Sequence, residues 1–307
     1  MKKVNKAVIL AAGLGTRFLP VTKGIPKGMI NILDKPVLHY VAAEITESQI
    51  FDIAIIISQD DKTIRNYFSN DPKLENILEE KLKKLESQPK DQKNNEEILN
   101  TKNILEDLRR FKNVKFTYIV QEVPKGSGDA VLCAEEFTKG EPFALLNGDD
   151  VIVSKIPCVK QLTGQYDNYN ASIIGCQRVN INEIVKYGSV KYKEIKSKVF
   201  KIEEIIEKPP VNLAPSNLAA LGRYVLTNEI FKYIKTQTPA KNGEIQLTDS
   251  INRMAKDYAV YAYDFEGTRY DAGDKLGYLK AVVDFALDTN YKNDLKVYLE
   301  KVLQEKI

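Results

Sequence analysis

Six apolar residues, Ala7-Val8-Ile9-Leu10-Ala11-Ala12, run directly into Gly13-Leu14-Gly15-Thr16-Arg17. The apolar run reads as a strand buried on both faces, which belongs in a covered sheet rather than at a surface. The glycines let the backbone turn tightly and approach a ligand closely, because they carry no Cβ. Amide N–H groups in such a turn form a concavity suited to phosphate oxygens. Pro20 and Pro26 restrict the chain that follows, and Arg17, Lys23 and Lys27 bring positive charge to the same stretch. Cations crowded in one loop repel one another unless an anion sits among them. The segment therefore points to a polyphosphate pocket at the end of a strand.

The familiar phosphate motifs do not fit. A dinucleotide fingerprint needs a third glycine where Phe18 stands, and a P-loop needs a Gly-Lys-Ser/Thr ending that is absent. On glycine spacing alone, a turn joining strand to loop explains Gly13 and Gly15 equally well.

Further along, apolar runs alternate with helical patterns. Strands are expected at 7–12, 51–58, 114–121, 142–146, 172–178 and 219–226, and helices at 36–47, 61–68, 128–137 and 159–167. This rhythm predicts an α/β fold with a mixed, mainly parallel sheet flanked by helices. Ligands of such sheets gather at the carboxyl ends of the strands, where the Gly13 loop falls. Residues 72–110 interrupt the rhythm with amphipathic spacing (Leu74, Ile77, Leu78, Leu82, Leu85, then Ile98 to Leu108), a helical excursion with a polar loop at 87–95. Residues 185–210 alternate as a β-hairpin, and 275–289 and 291–306 read as two C-terminal helices, the first capped by Asp274. We expect one catalytic domain over 1–285 and a helical extension over 286–307. No run of about 18 apolar residues predicts a membrane span. Cys133, Cys158 and Cys176 lack paired or zinc-type spacing, so a cytoplasmic setting is expected. A net charge of +3 gives no reason to expect nucleic acid.

Outside the glycine loop, the residues alone leave two readings open at each place. Asn147-Gly148-Asp149-Asp150 follows an apolar strand and is either a simple turn or a carboxylate presented to a pocket. Asp271 precedes a helix and either caps it or joins Asp149 on a divalent cation with phosphate oxygens. Gln121, before Gly126 and Gly128, is either a surface glutamine or a donor–acceptor for a base edge. Glu207-Lys208-Pro209 is either a surface ion pair or part of a site. The single histidine, His39, sits in an apolar helix start and suggests packing or a surface position. Without a second histidine no Ser-His-Asp set can form. Displacement at phosphorus by an anionic phosphate needs no such set, only positioning and charge neutralisation.

The stretch Gly13-Leu14-Gly15-Thr16-Arg17-Phe18-Leu19-Pro20-Val21-Thr22-Lys23, with Pro26-Lys27 after it, resembles the nucleotide-binding loop of the sugar-nucleotide pyrophosphorylases, within them the UTP–glucose-1-phosphate uridylyltransferase branch. Gln121…Lys125-Gly126-Ser127-Gly128, Tyr187-Gly188, Glu207-Lys208-Pro209, Asn217, Gly222-Arg223-Tyr224 and Glu244 to Asp249 match in order, from Val4 to about Phe285. The resemblance implies a Rossmann-like nucleotidyltransferase fold and uridylyl transfer from UTP to α-D-glucose 1-phosphate, giving UDP-glucose and pyrophosphate. It implies that Ala12, Gly13, Gly15 and Thr16 bind the nucleotide, that Gln121 and Gly126 read the base, and that Arg17 and Lys27 hold the β- and γ-phosphates. It further implies Gly188 and Glu207 at the sugar, Lys208 at its phosphate, Mg²⁺ on Asp149 and Asp271, and a homodimer or homotetramer. Two departures stand out: Gly28 where the pattern has Glu, and Asn31 where it has Pro. A thymidylyltransferase of the same superfamily is the nearest rival, and a non-catalytic nucleotide-sugar-binding regulator is a rival of another class.

Overall fold

The computed structural model describes residues 2–58, 61–89, 91–240 and 243–306. The first half of the chain forms β1 (Lys6–Leu10), β2 (Asn31–Ile32), β3 (Lys35–Pro36), α1 (Val37–Glu47), β4 (Asp52–Ser58), α2 (Thr63–Tyr67), α3 (Pro72–Glu86), α4 (Gln92–Arg109), β5 (Lys115–Gln121), α5 (Ser127–Leu132), α6 (Glu135–Thr138) and β6 (Phe143–Asn147). The second half adds β7 (Asp150–Val153), α7 (Cys158–Tyr169), β8 (Ser172–Arg178), β9 (Gly188–Lys196), β10 (Val199–Glu207), β11 (Leu218–Leu226), α8 (Ile230–Lys235), α9 (Leu247–Asp257), β12 (Val260–Asp264), β13 (Thr268–Asp271), α10 (Lys275–Leu287) and α11 (Lys292–Lys306).

Nine strands make one mixed sheet in the order β5-β4-β1-β6-β11-β8-β12-β10-β9. Pairing is parallel from β5 through β6 and again between β8 and β12; the other neighbours are antiparallel. Successive residues of a strand point to opposite faces, and the apolar runs of β1, β4 and β6 use both. Val8, Ala54, Ile56, Phe143 and Leu145 pack on one face with Phe231 of α8 and Leu247, Ile251 and Met254 of α9. Ala7, Ile9, Ile53, Ile55, Ile57, Ala144 and Leu146 pack on the other with Leu38, Val41, Ala42 and Ile45 of α1. Each fully buried Ile or Leu contributes about 1.5–3 kcal/mol, so this two-sided burial fixes register at the centre of the sheet.

The excursion is helical: α3 and α4 pack together within the β4-to-β5 connection. Asp71 and Asp91 cap them by accepting from Leu74 N (3.1 Å) and Asn94 N (2.7 Å). The polar loop expected to reach Asn95 is shorter, because Asp91 starts α4 at Gln92 and the Asn94 side chain turns inward to Leu85 O (3.0 Å). Charged residues join the two helices, with Lys81–Glu97 and Lys102–Glu86 both at 2.9 Å. The expected hairpin is β9 and β10, paired from Gly188↔Glu207 to Lys196↔Val199. Helix α10 runs past residue 285 to Leu287, its start capped by Asp274. Among the described residues no helix is long and apolar enough to cross a membrane, and all three cysteines are unpaired.

Candidate active site

Parallel pairing brings the carboxyl ends of β1, β4, β5 and β6 to one edge. In register, Leu10 stands opposite Asn147 and Ser58 opposite Gln121. The Gly13 loop, Gln121 and the Gly148–Asp149 turn therefore emerge side by side, tied by Gly148 N donating to Leu10 O at 3.0 Å. Antiparallel β11 brings Ala220 opposite Gly188, and Gly188 pairs with Glu207. The result is a cleft of two adjoining lobes. One, of about 520 Å³, is lined by residues including Ala12, Gly13, Gly15, Thr16, Gln121 and Gly126. The other, of about 360 Å³, is lined by residues including Gly188, Glu207 and Asp271. Arg17, Asn147, Asp149 and Lys208 line both, and Lys27 lines the first. The site residues expected from the sequence thus lie on this cleft with one exception: Lys23 faces away, lining a separate cavity with Thr22 and Asp61.

In the larger lobe, Gly15 takes a left-handed conformation with φ 62°. A Cβ there would stand 2.9 Å from Thr22 Cγ2 and 3.0 Å from Lys27 Cβ, so only glycine lets the loop fold back on itself. Thr22 Oγ1 locks the turn by donating to Gly15 O at 2.9 Å. Gly126, at φ 101°, lets the β5–α5 connection press on the 244–249 segment, where a Cβ would lie 2.7 Å from Ile245 O. Gly128 N donates to Ile245 O (2.8 Å) and Ile245 N to Lys125 O (2.7 Å). Gln121 is buried, and its Nε2 donates to Asp129 Oδ2 at 2.7 Å. Asp129 thereby occupies the amide's donor side and leaves its carbonyl oxygen as the acceptor.

At the junction, Lys27 Nζ pairs with Asp149 Oδ2. For Lys27 the anion that the crowded cations require is, in this structure, supplied by the chain itself. Asp149 Oδ2, Asp271 Oδ1 and Lys27 Nζ all lie within 3.0 Å of the point that a Cβ on Gly273 would occupy, so both carboxylates and the ammonium face one small volume. Burial works to push the Asp149 carboxyl up, but Lys27, Arg269 and Arg17 outweigh it and hold the group below its ordinary range, ionised. Its side chain keeps 29% exposure, open to the cleft. Beneath it Asp150 is buried, and burial raises its carboxyl to about 6 against the pull of Arg269. Arg269 pairs with Asp150 and approaches Asp271 Oδ2 at 3.5 Å, its guanidinium 4.8 Å from the centre of the Tyr187 ring. Among the described residues no group of three or more His, Cys, Asp or Glu side chains forms a metal site by itself. Asp149 and Asp271 are the two carboxylates that the cleft offers a hard divalent ion, whose other ligands would be phosphate oxygens and water.

In the smaller lobe, Glu207 Oε2 accepts from Thr248 Oγ1 at 2.7 Å and its Oε1 lies 3.7 Å from Lys208 Nζ. Lys208 holds φ 45°, a conformation that costs a non-glycine residue about 1–3 kcal/mol. The strain is held by Lys208 N donating to Tyr187 O at 3.0 Å, and it leaves the lysine side chain 61% exposed. His39 lies elsewhere: it is 4% exposed, bonded through Nδ1 to Tyr67 Oη at 2.9 Å. It lines a separate cavity with Lys35 and Asp107.

Sequence reasoning missed Arg269, Asn147 and the pairing of Asp150. The available signal was the spacing of Arg269 and Asp271, two apart and so on one face of any strand. The short β7–β13 ribbon sets Asp271 opposite Asp150, and Arg269 relieves the repulsion of the facing carboxylates.

The nucleotidyl transferase family model matches residues 6–287. The UTP–glucose-1-phosphate uridylyltransferase of Bacillus subtilis is 42% identical over 307 residues, covering 99% of each chain. A UDP-glucose pyrophosphorylase solved in complex with UDP-glucose superposes with a TM-score of 0.82 at 34% identity, covering 93% of this chain and 100% of that one. A UTP-bound enzyme of the same name from Acinetobacter baumannii gives 0.81 at 31% identity, with 99% and 100% covered.

Proposed function

Because the chain belongs to the nucleotidyl transferase family, we propose that its two lobes hold UTP and glucose 1-phosphate and join them at the α-phosphorus. The activity is that of a UTP–glucose-1-phosphate uridylyltransferase, releasing pyrophosphate and UDP-glucose. The observation that carries the reading is the junction: Arg17, Asp149 and Lys208 border both lobes at once, where two phosphorylated substrates would meet.

In this reading the Ala12–Thr16 loop takes the phosphates of UTP, with Arg17 and Lys27 on the β- and γ-phosphates. The Gln121 carbonyl accepts from the uracil ring N–H, and the backbone at Gly126 borders the base. Glu207 and the backbone of Gly188 hold the sugar, and Lys208 holds its phosphate. The attacking oxygen is already anionic, so the step needs no general base. The seclusion of the only histidine in another cavity agrees with that. Asp149 and Asp271 would hold Mg²⁺, which draws charge from the phosphates when bound. The reading includes one catalytic unit over 1–285, a homodimer or homotetramer, and a cytoplasmic setting, to which three free thiols are suited. A thymidylyltransferase is not favoured, since the curated relatives at 41–42% identity bear the uridylyl name. A non-catalytic regulator would not need the cations and acids kept here.

Initial rates of pyrophosphate release with UTP, dTTP, CTP or ATP against several sugar 1-phosphates, with and without Mg²⁺, test the proposal. Fast release is expected only with UTP, glucose 1-phosphate and the metal together. No release from that combination would end the reading.

A further inference from the structure

Arg223 heads the fully buried side chains by volume, with 0% exposure. It lies where the β11–β8 register shifts between Ala220 and Tyr224, a bulge that includes Gly222 at φ 61°. Bulges of this kind re-aim side chains, and this one directs the guanidinium under the turn that carries Asp149.

Its donors divide between two duties. Nε and Nη2 reach Glu44 Oε2 of α1 at 3.0 and 2.8 Å. Nη2 also donates to Asp150 O at 2.8 Å, and Nη1 to Asn147 O at 3.4 Å. Glu44 is itself held, its Oε1 accepting from Val159 N of α7 at 3.0 Å. A buried guanidinium needs acceptors for all its N–H groups, and Nη1 also reaches Gly222 O at 3.2 Å, so what distinguishes this one is where the second duty falls. Here the second grips the backbone on both sides of Asp149, which Gly148 N already ties to β1 through Leu10 O.

We infer that Arg223 is a positioning residue for the cation-binding turn: by clamping the carbonyls of Asn147 and Asp150 to Glu44, it sets where the Asp149 carboxylate stands relative to Asp271. The inference rests on reading Asp149 as a metal ligand. Partners of this indirect kind typically alter metal affinity ten- to a hundredfold.

The test is Mn²⁺ binding, followed by electron paramagnetic resonance with UDP-glucose present, alongside kcat and KM. Arg223→Lys keeps a charge for Glu44 but loses the fork. Arg223→Met with Glu44→Met removes both charges together, which buried pairs tolerate far better than the loss of one partner. Thermal melts establish that each is folded. Mn²⁺ binding should weaken by about tenfold in the lysine variant and further in the double variant. kcat should fall in step while KM for glucose 1-phosphate stays within about twofold. Wild-type Mn²⁺ affinity in either folded variant overturns the inference. Asp149→Asn is the control: if it binds Mn²⁺ as wild type does, the metal reading of Asp149 falls instead.

Discussion

Lys27 and Asp149, 122 residues apart in sequence, form an ion pair between the two lobes of the cleft. Each is assigned a different partner during turnover, the lysine a phosphate and the aspartate a cation. In the proposed reading substrate and metal would separate the two groups, each of which compensates the other's charge in this structure.

Lys27→Ala removes a cation from the proposed phosphate site and a partner from Asp149. kcat/KM should fall by about 10²–10³-fold, the scale of losing one preorganised electrostatic contact. The protein should stay folded with a lowered melting temperature, since the pair is mostly buried and Lys27 leads the groups that hold Asp149 ionised. Steady-state kinetics beside a thermal melt checks both. Near-normal turnover would take Lys27 out of the phosphate contacts.

In the proposed reading Gln121 bears on base choice. With its amide donor held by Asp129, the remaining oxygen favours a ring that offers N–H, as uracil does and cytosine does not. Gln121→Ala should raise KM for UTP by roughly ten- to a hundredfold, matching about 1–3 kcal/mol for an unmade bond. It should also narrow the preference for UTP over CTP. An unchanged ratio of the two rates would refute this role.

Gly28 answers to packing. A Cβ there would lie 2.6 Å from Leu38 Cγ and 3.3 Å from Gly148 O, so Leu38 already fills the room that a side chain would need. Gly28→Ala should destabilise the protein by about 1–3 kcal/mol through overpacking, and adding Leu38→Val should recover part of the loss. Urea unfolding of the single and double variants measures both steps. Additive losses would show that the two positions do not share the space.

His39 predicts a pH dependence. Burial, reinforced by Lys35, lowers its pKa from 6.5 to about 4. The unfolded chain therefore takes up the proton first as pH falls. Stability is complete above pH 6.5 and is lost between 6.5 and 4, by up to about 1.4 kcal/mol per unit. Asp150, raised to about 6 by burial, works in the opposite sense, so the comparison is between wild type and His39→Gln. Unfolding free energies of the two should diverge across that window, with the wild type losing more. Parallel curves would refute the assignment.

The sequence made the centre of the fold legible because β1, β4 and β6 are buried on both faces and read as unbroken apolar runs. The hairpin was legible for the opposite reason, since alternation marks a half-exposed pair. The β7–β13 ribbon was not: four residues carry no period, and only its pairing with a distant partner makes it a strand. The same limit applied to the site. Strand-end position exposed the glycine loop and Asp149, whereas Arg269 and Arg223 act through neighbours that are remote in sequence. The bond between Lys27 and Asp149 was hidden because loop composition cannot say whether cations await a ligand or already hold an acid of the same chain.

The strained backbone at Lys208 sits at the last residue before Pro209, where β10 gives way to the connection into β11. The hairpin that delivers it lies at the sheet edge, yet its Gly188 end pairs back onto β11, two strands from β1. Because Lys208 borders both lobes, a change at the end of this hairpin would be felt on the nucleotide side as well as the sugar side, and swapping the hairpin alone would not exchange one sugar for another.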